Sequence, residues 1–253
     1  MVNLIPYVIY FFGPFLLAFF IGRKVLRVTY GAFGIGLLVF FIAWVCILII
    51  TQIPADMSDS FKEGTLLYSM ILAASAGLFE ESSRFFAFKV FRGLRKKRNW
   101  NTGIMYAMGH SGMESIIVGG SLLLTILVLK YAPQFLSPEL LSESKKVLEI
   151  SFGAGLYNSL ERLLVGLLIH SCFTCVVLLS FVKSKKYLVL AMLWHFAHDM
   201  VGLNFHHLSE HWAAEKLWIV FIIVVYLWIL FKLKKSFPGE KSILDPLRQV
   251  SNN

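Results

Sequence analysis

The chain has 253 residues, of which 57% are hydrophobic and only 15% are charged, where a soluble domain carries about 25% charged residues. That balance excludes an ordinary soluble globular domain. The net charge of +9 is no sign of nucleic-acid binding, because most of the cations sit in short loops between apolar runs, where they anchor membrane helices beside anionic headgroups.

In chain order the apolar runs fall at about 4–22, 32–53, 64–91, 102–130, 152–182, 187–203 and 216–233, each close to the roughly 20 helical residues that cross a hydrocarbon core of about 30 Å. The expected fold is therefore all-α, a polytopic membrane helix bundle of about seven transmembrane helices. It forms a single membrane domain over 1–253, with the site helices at about 64–203 and a polar tail at 236–253. The first run lacks a charged n-region and a small-residue cleavage site, so it is expected to be a retained helix. The sixth run is short and carries His195, His198 and Asp199, yet it is framed like the others, by KSKK before it and NFHHLSEH after it.

Lysine and arginine set the orientation. They crowd the loops after the first, third and fifth runs (Arg23, Lys24 and Arg27; Arg92, Arg95, Lys96, Lys97 and Arg98; Lys183, Lys185 and Lys186) and follow the seventh (Lys232, Lys234 and Lys235). The intervening loops are poorer in positive charge, and PADMSDSFKEG is acidic. The N-terminus is thus expected outside and the C-terminus in the cytoplasm. PELLSESKKVLEI has the period of a short interfacial amphipathic helix. No extramembrane piece is large enough for a catalytic domain, so any chemistry has to lie within the bundle. Cys46, Cys172 and Cys175 all fall within spans; CFTC has no second CxxC to complete a zinc site, and the three read as small packing residues.

Ionisable groups at membrane depth cost on the order of 2.5 to 3.5 kcal/mol each and face the protein interior or a water-filled cavity. At about 1.5 Å per helical residue, Glu80, Glu81, His110, Glu114, His170, His195, His198 and Asp199 all lie about 12 to 20 Å from the cytoplasmic ends of their spans, within a slab roughly 8 Å thick. Four helices thus bring carboxylates and imidazoles to one level. Packing accidents would scatter.

Spacing sharpens this. Arg84 is i+4 from Glu80 and i+3 from Glu81, so it can reach back to one carboxylate and leave the other, about 100° around the helix, for a different task. His110 and Glu114 share a face at i,i+4, as do His195 and Asp199, and His198 is i+3 from His195. An interhelical ion pair holding the bundle together would explain one carboxylate and not two. Such a set could activate water: a glutamate in a partly dry site acts as general base, a histidine shares the proton, and further His or Asp groups bind the oxyanion or position the nucleophile. Equally, His110, His195 or His198 with Glu80 or Glu81 could ligate a metal, zinc being the obvious one, that activates water; HExxH is absent. A transporter would use the same buried charges as a proton or cation path, but no inverted repeat is visible.

With EExxR at Glu80, Glu81 and Arg84, YAMGH at Tyr106 and His110, and HFAHD at His195 and Asp199, the chain resembles the YhfC family of intramembrane peptidases. That family is similar to the CAAX prenyl proteases, the bacteriocin-processing and self-immunity proteins and the PrsW proteases. The resemblance implies that Glu80 or Glu81 activates water without an obligatory cofactor, or with zinc. It further implies that His110 assists the base and that His195 with Asp199 binds the oxyanion. It also implies an integral protein of a bacterial plasma membrane, whose partners are the lipid bilayer and a membrane-associated peptide or protein substrate, or else an inert immunity-type relative. The arginine stands one residue closer than in EExxxR, tyrosine replaces the phenylalanine of FxxxH, and Glu114 matches a PrsW-type second motif. Outside the motifs, His170 either lines the site or bonds a neighbouring helix. Glu161 and Arg162 are expected near the outer interface, and His206, His207, Glu210 and His211 read as a solvated loop. Gly109, Gly112, Gly119 and Gly120 permit close helix approach.

Overall fold

A computed structural model describes residues 4–22, 24–57, 61, 64–137, 141, 150–208 and 212–237, with side chains at all of these except 53–57, 205–208 and 212–215. The helices are α1 (Ile5–Leu17, continued by a π turn over Ala18–Gly22), α2 (Tyr30–Met57), α3 (Leu66–Val90), the single turn α4 (Arg92–Arg95), α5 (Trp100–Tyr131), α6 (Phe152–Val182), α7 (Lys186–Leu208) and α8 (Trp212–Lys234). No strand occurs among the described residues. The seven long helices fall on the seven apolar runs. The PELLSESKKVLEI segment, the polar tail beyond Phe237 and the Glu210 and His211 part of the histidine cluster lie almost wholly outside the described residues, as do the side chains of His206 and His207.

Local sequence explains where these helices begin. Thr65 caps α3 by accepting from the Tyr68 amide at 3.2 Å, Asn99 caps α5 through the Thr102 amide at 3.0 Å, and Ser151 caps α6 through the Ala154 amide at 3.3 Å. Each side-chain oxygen satisfies one of the amides that a helix start leaves unpaired.

Five segments among the described residues are long and apolar enough to cross a membrane: Ile5–Gly22, Tyr30–Gln52, Trp100–Tyr131, Phe152–Val182 and Lys216–Lys234. Leu16, Phe20, Ile42, Ile49, Leu124, Val220 and Phe231 are exposed on them, an apolar outer surface suited to lipid and not to water. The protein is a polytopic helical membrane bundle. The two long helices that fall short are α3 and α7, which carry Glu80, Glu81 and Arg84 and His195, His198 and Asp199. They pack on one another, and α3 also packs on α2 and α6. Polar groups are thereby turned inward, as the cost of exposing them to hydrocarbon requires.

The basic connections gather at one end of the bundle. Lys183 Nζ donates to Ser236 Oγ at 3.2 Å, Arg98 donates to the Phe88 carbonyl at 2.9 Å and packs over the Phe181 ring at 3.9 Å, and Lys185 lies over both Phe85 and Phe181. Directly above them a core of Phe88, Leu94, Trp100, Met105, Tyr106, Leu178 and Leu179 closes that end.

Two close crossings set the helix registers around the site. At the α2–α5 crossing, a Cβ on Gly109 would overlap the Phe33 carbonyl and one on Gly36 would overlap the Tyr106 carbonyl. At the α3–α7 crossing, a Cβ on Gly77 would stand 2.7 Å from the Met192 carbonyl oxygen. Only glycine admits such backbone approach. The first contact places His110 and the second brings Glu81 beside His195, four residues beyond Gly77 and three beyond Met192.

Candidate active site

Glu80, Glu81 and Arg84 occupy the inward face of α3 and are 6%, 0% and 0% exposed. Arg84 Nη1 donates to Glu81 Oε1, and Nη2 donates to Glu80 Oε2 at 3.1 Å. The guanidinium therefore bridges both carboxylates, where spacing alone had it holding one and freeing the other. The reason is geometric: the i+3 and i+4 neighbours lie on adjacent sides of the fork, and its two nitrogens reach one each.

From α5, His110 brings Nε2 to 2.8 Å from Glu80 Oε2 and 2.6 Å from Arg84 Nη2. From α6, His170 sets Nδ1 2.7 Å from the same Nη2 and Nε2 2.9 Å from Glu114 Oε2. A guanidinium donates and never accepts, so both facing ring nitrogens are acceptors. His170 accordingly carries its proton on Nε2 and donates it to Glu114. In His110 the proton falls on Nδ1, which is buried without a hydrogen-bond partner among the described residues. His170, outside every motif, thus lines the site and bonds a neighbouring helix.

From α7, His195 places Nδ1 2.6 Å from Glu81 Oε1 and Nε2 3.4 Å from Asp199 Oδ2. Its ring stacks on Phe173 at 4.5 Å and 21°, which fixes its plane. His198 turns aside, with Nδ1 3.1 Å from the Tyr226 hydroxyl of α8. Tyr106 is fully buried, its ring 5.0 Å from Phe88 and 6.1 Å from His110, and its hydroxyl has no partner among the described residues. Cys172 and Cys175 are buried, in keeping with a packing role.

Among the described residues, two groups hold ligand-type atoms within 4.8 Å of one another: Glu80, His110 and His170, and Glu80, Glu81 and His195. Carboxylate and imidazole are the donors that a zinc-like ion takes. Glu81 Oε2, of the second group, is buried with no hydrogen-bond partner among the described residues, an acceptor whose demand the protein alone leaves unmet. The residues fit a divalent cation. His170 joins Glu80 and His110, and His198 falls in neither group among the described residues.

A cavity of about 550 Å³ runs from this cluster toward the end of the bundle opposite the basic connections. Its walls are apolar, among them Trp44, Ile47, Leu72 and Ile117, while Glu80, Glu114, His198 and Asp199 line its polar part and Arg162 also borders it. An inner chamber of about 150 Å³ meets Glu80, His170 and His195 as well as Asp199. Glu81 borders neither space. Glu161, beside Arg162, pairs with Lys216 of α8 at 3.8 Å.

An apolar-walled cavity ending on buried carboxylates and imidazoles from four helices defines a polar site inside the membrane bundle. Residues 9–224 match the YhfC intramembrane metalloprotease family, and the chain belongs to that family. The chain is 21% identical over 230 residues to the Uncharacterized membrane protein YhfC of Bacillus subtilis (strain 168), a match covering 81% of this chain and 88% of that protein. No solved structure matches. The apolar helices and the bacterial relative fit an integral protein of the plasma membrane.

Proposed function

We propose that this protein is an intramembrane endopeptidase that hydrolyses a peptide bond in or near the membrane with water activated by Glu80. The observation that carries this reading is the position of Glu80, which borders both the large cavity and the inner chamber while its Oε2 contacts His110 and Arg84. Membership of the metalloprotease family supports the reaction class.

Each residue has its own part in the reaction. Glu80 takes a proton from water in the inner chamber as the water oxygen attacks the scissile carbonyl carbon. His110, 2.8 Å from Glu80 Oε2, assists that proton transfer. His195, with a proton on each ring nitrogen, presents Nε2 to the chamber and donates to the oxyanion, while Asp199, 3.4 Å from Nε2, supports the imidazolium and Glu81 fixes the ring through Nδ1, the arrangement by which a carboxylate orients an imidazole. When the tetrahedral carbon collapses, the C–N bond breaks and the proton on Glu80 passes to the leaving amine. A divalent ion, zinc being the example, would be held by Glu80, His110 and His170 and would supply Lewis acidity to carbonyl and water. Glu80 carries a second carboxylate oxygen, Oε1, for the water proton.

The peptide reaches the site from the end opposite the basic connections. With seven crossings, the N-terminus outside and the basic end in the cytoplasm, that is the outer half of the bilayer. The apolar walls suit a membrane-borne segment, whose scissile bond would meet Glu80 in the inner chamber. Reconstitution in proteoliposomes tests the reading: wild type cleaves membrane peptides and Glu80→Gln does not. Solute uptake without cleavage would contradict it.

A further inference from the structure

The atoms of the Glu80, His110 and His170 group converge on a part of the protein itself. Arg84 Nη2 lies 2.6 Å from His110 Nε2, 2.7 Å from His170 Nδ1 and 3.1 Å from Glu80 Oε2. That nitrogen carries two protons, yet it faces three acceptors. Glu80 Oε2 and His110 Nε2 are only 2.8 Å apart, and with the imidazole proton on Nδ1 both present lone pairs. Two acceptors at that spacing in a dry interior need a shared proton or a cation against them. The guanidinium meets this need, but it is short of one proton for three partners.

Arg84 is also tethered unevenly. Nη1 donates to Glu81, outside the three-atom group, while Nε is buried with no hydrogen-bond partner among the described residues. The side chain therefore keeps an anchor on Glu81 if Nη2 withdraws, and no bond at its neck opposes that withdrawal.

We propose that Arg84 is the internal cation of the metal-free site: its Nη2 closes the Glu80, His110 and His170 cage and must leave it for a divalent ion to bind. This rests on the metal-binding reading given above. It makes Arg84 a positioning residue with two opposed effects. In the metal-free protein it neutralises buried carboxylates, and toward the ion it competes. An arginine that only braces the bundle, or only orients the ligands, would have removal weaken both.

The test is zinc titration of the full-length protein in detergent micelles after chelator treatment, against a chromophoric chelator, with thermal unfolding followed with and without zinc. Arg84→Gln is expected to bind zinc about ten-fold more tightly than wild type, to unfold at a lower temperature without zinc, and to recover with zinc most of what it lost. Arg84→Lys, whose ammonium keeps the charge but not the fork, should fall between. If Arg84→Gln does not fold without metal, Arg84→Lys alone decides. Zinc binding that is unchanged, weaker or absent in the foldable variants overturns the proposal. Cleavage is scored separately: tighter zinc binding without any cleavage would sink the peptidase reading and leave this one standing, and cleavage with unchanged affinities would do the reverse.

Discussion

Glu80 Oε2 of α3 and His110 Nε2 of α5 stand 2.8 Å apart, and Arg84 Nη2 lies within 3.1 Å of both. A carboxylate in such contact is neither a lipid-facing defect nor one half of a simple ion pair. It is held against an imidazole, beside a cavity and away from bulk solvent.

Glu80→Gln keeps the shape and removes the base. Cleavage by the purified protein in proteoliposomes should fall by about 10² to 10⁴, the usual weight of general base catalysis, with unfolding temperature little changed. Glu81→Gln should behave differently, because Glu81 borders neither the large cavity nor the inner chamber and takes both Arg84 Nη1 and His195 Nδ1. It should lower the unfolding temperature together with kcat.

His170→Ala should abolish stoichiometric zinc binding, since Nδ1 is within the Glu80 and His110 group. His198→Ala should retain zinc, because that ring is turned to the Tyr226 hydroxyl at 3.1 Å. Metal analysis of the two purified variants after gel filtration separates them; equal zinc content in both would contradict the site drawn here.

Gly77→Ala inserts a methyl 2.7 Å from the Met192 carbonyl oxygen. Rigid backbone cannot yield as a side-chain tip would, so α3 and α7 must part, at a cost of about 1 to 3 kcal/mol. The distance between Glu81 and His195 should lengthen and activity should drop. Gly34→Ala, with nothing within 4 Å of the added Cβ, is the neutral comparison. Chemical unfolding and cleavage assays on both variants measure this.

Much of this site is legible in the sequence, and the missing parts share one cause. A rise of about 1.5 Å per residue fixes depth, so the spacing of residues along each span is enough to put Glu80, Glu81, His110, His195 and Asp199 at one level. Rotation about each axis is another matter. A helix apolar on nearly all sides, such as α6, gives no amphipathic stripe to orient it, so nothing distinguishes an inward His170 from an idle one. For the same reason HFAHD makes His195 and His198 look equivalent, although one meets Glu81 and the other Tyr226. Gly77 escapes notice because a lone glycine in GLFEESSRFF carries no sign that Met192 will press on it. Those glutamates and Arg84 are visible as a set, but not the sharing of one guanidinium by both.

Gly202 borders the cavity and has open space where a Cβ would stand. Gly202→Phe should fill the passage without straining the fold, raising KM for a membrane peptide several-fold while leaving unfolding temperature and zinc content as in wild type. An unchanged KM would place the substrate route elsewhere.

If Glu80 drives hydrolysis of membrane-borne peptides, the products are read most directly by mass-spectrometric mapping of new protein termini in membranes of cells expressing wild type or Glu80→Gln at equal levels. Termini within or beside membrane spans should appear with wild type and vanish with Glu80→Gln. Identical termini in the two membranes would contradict that role.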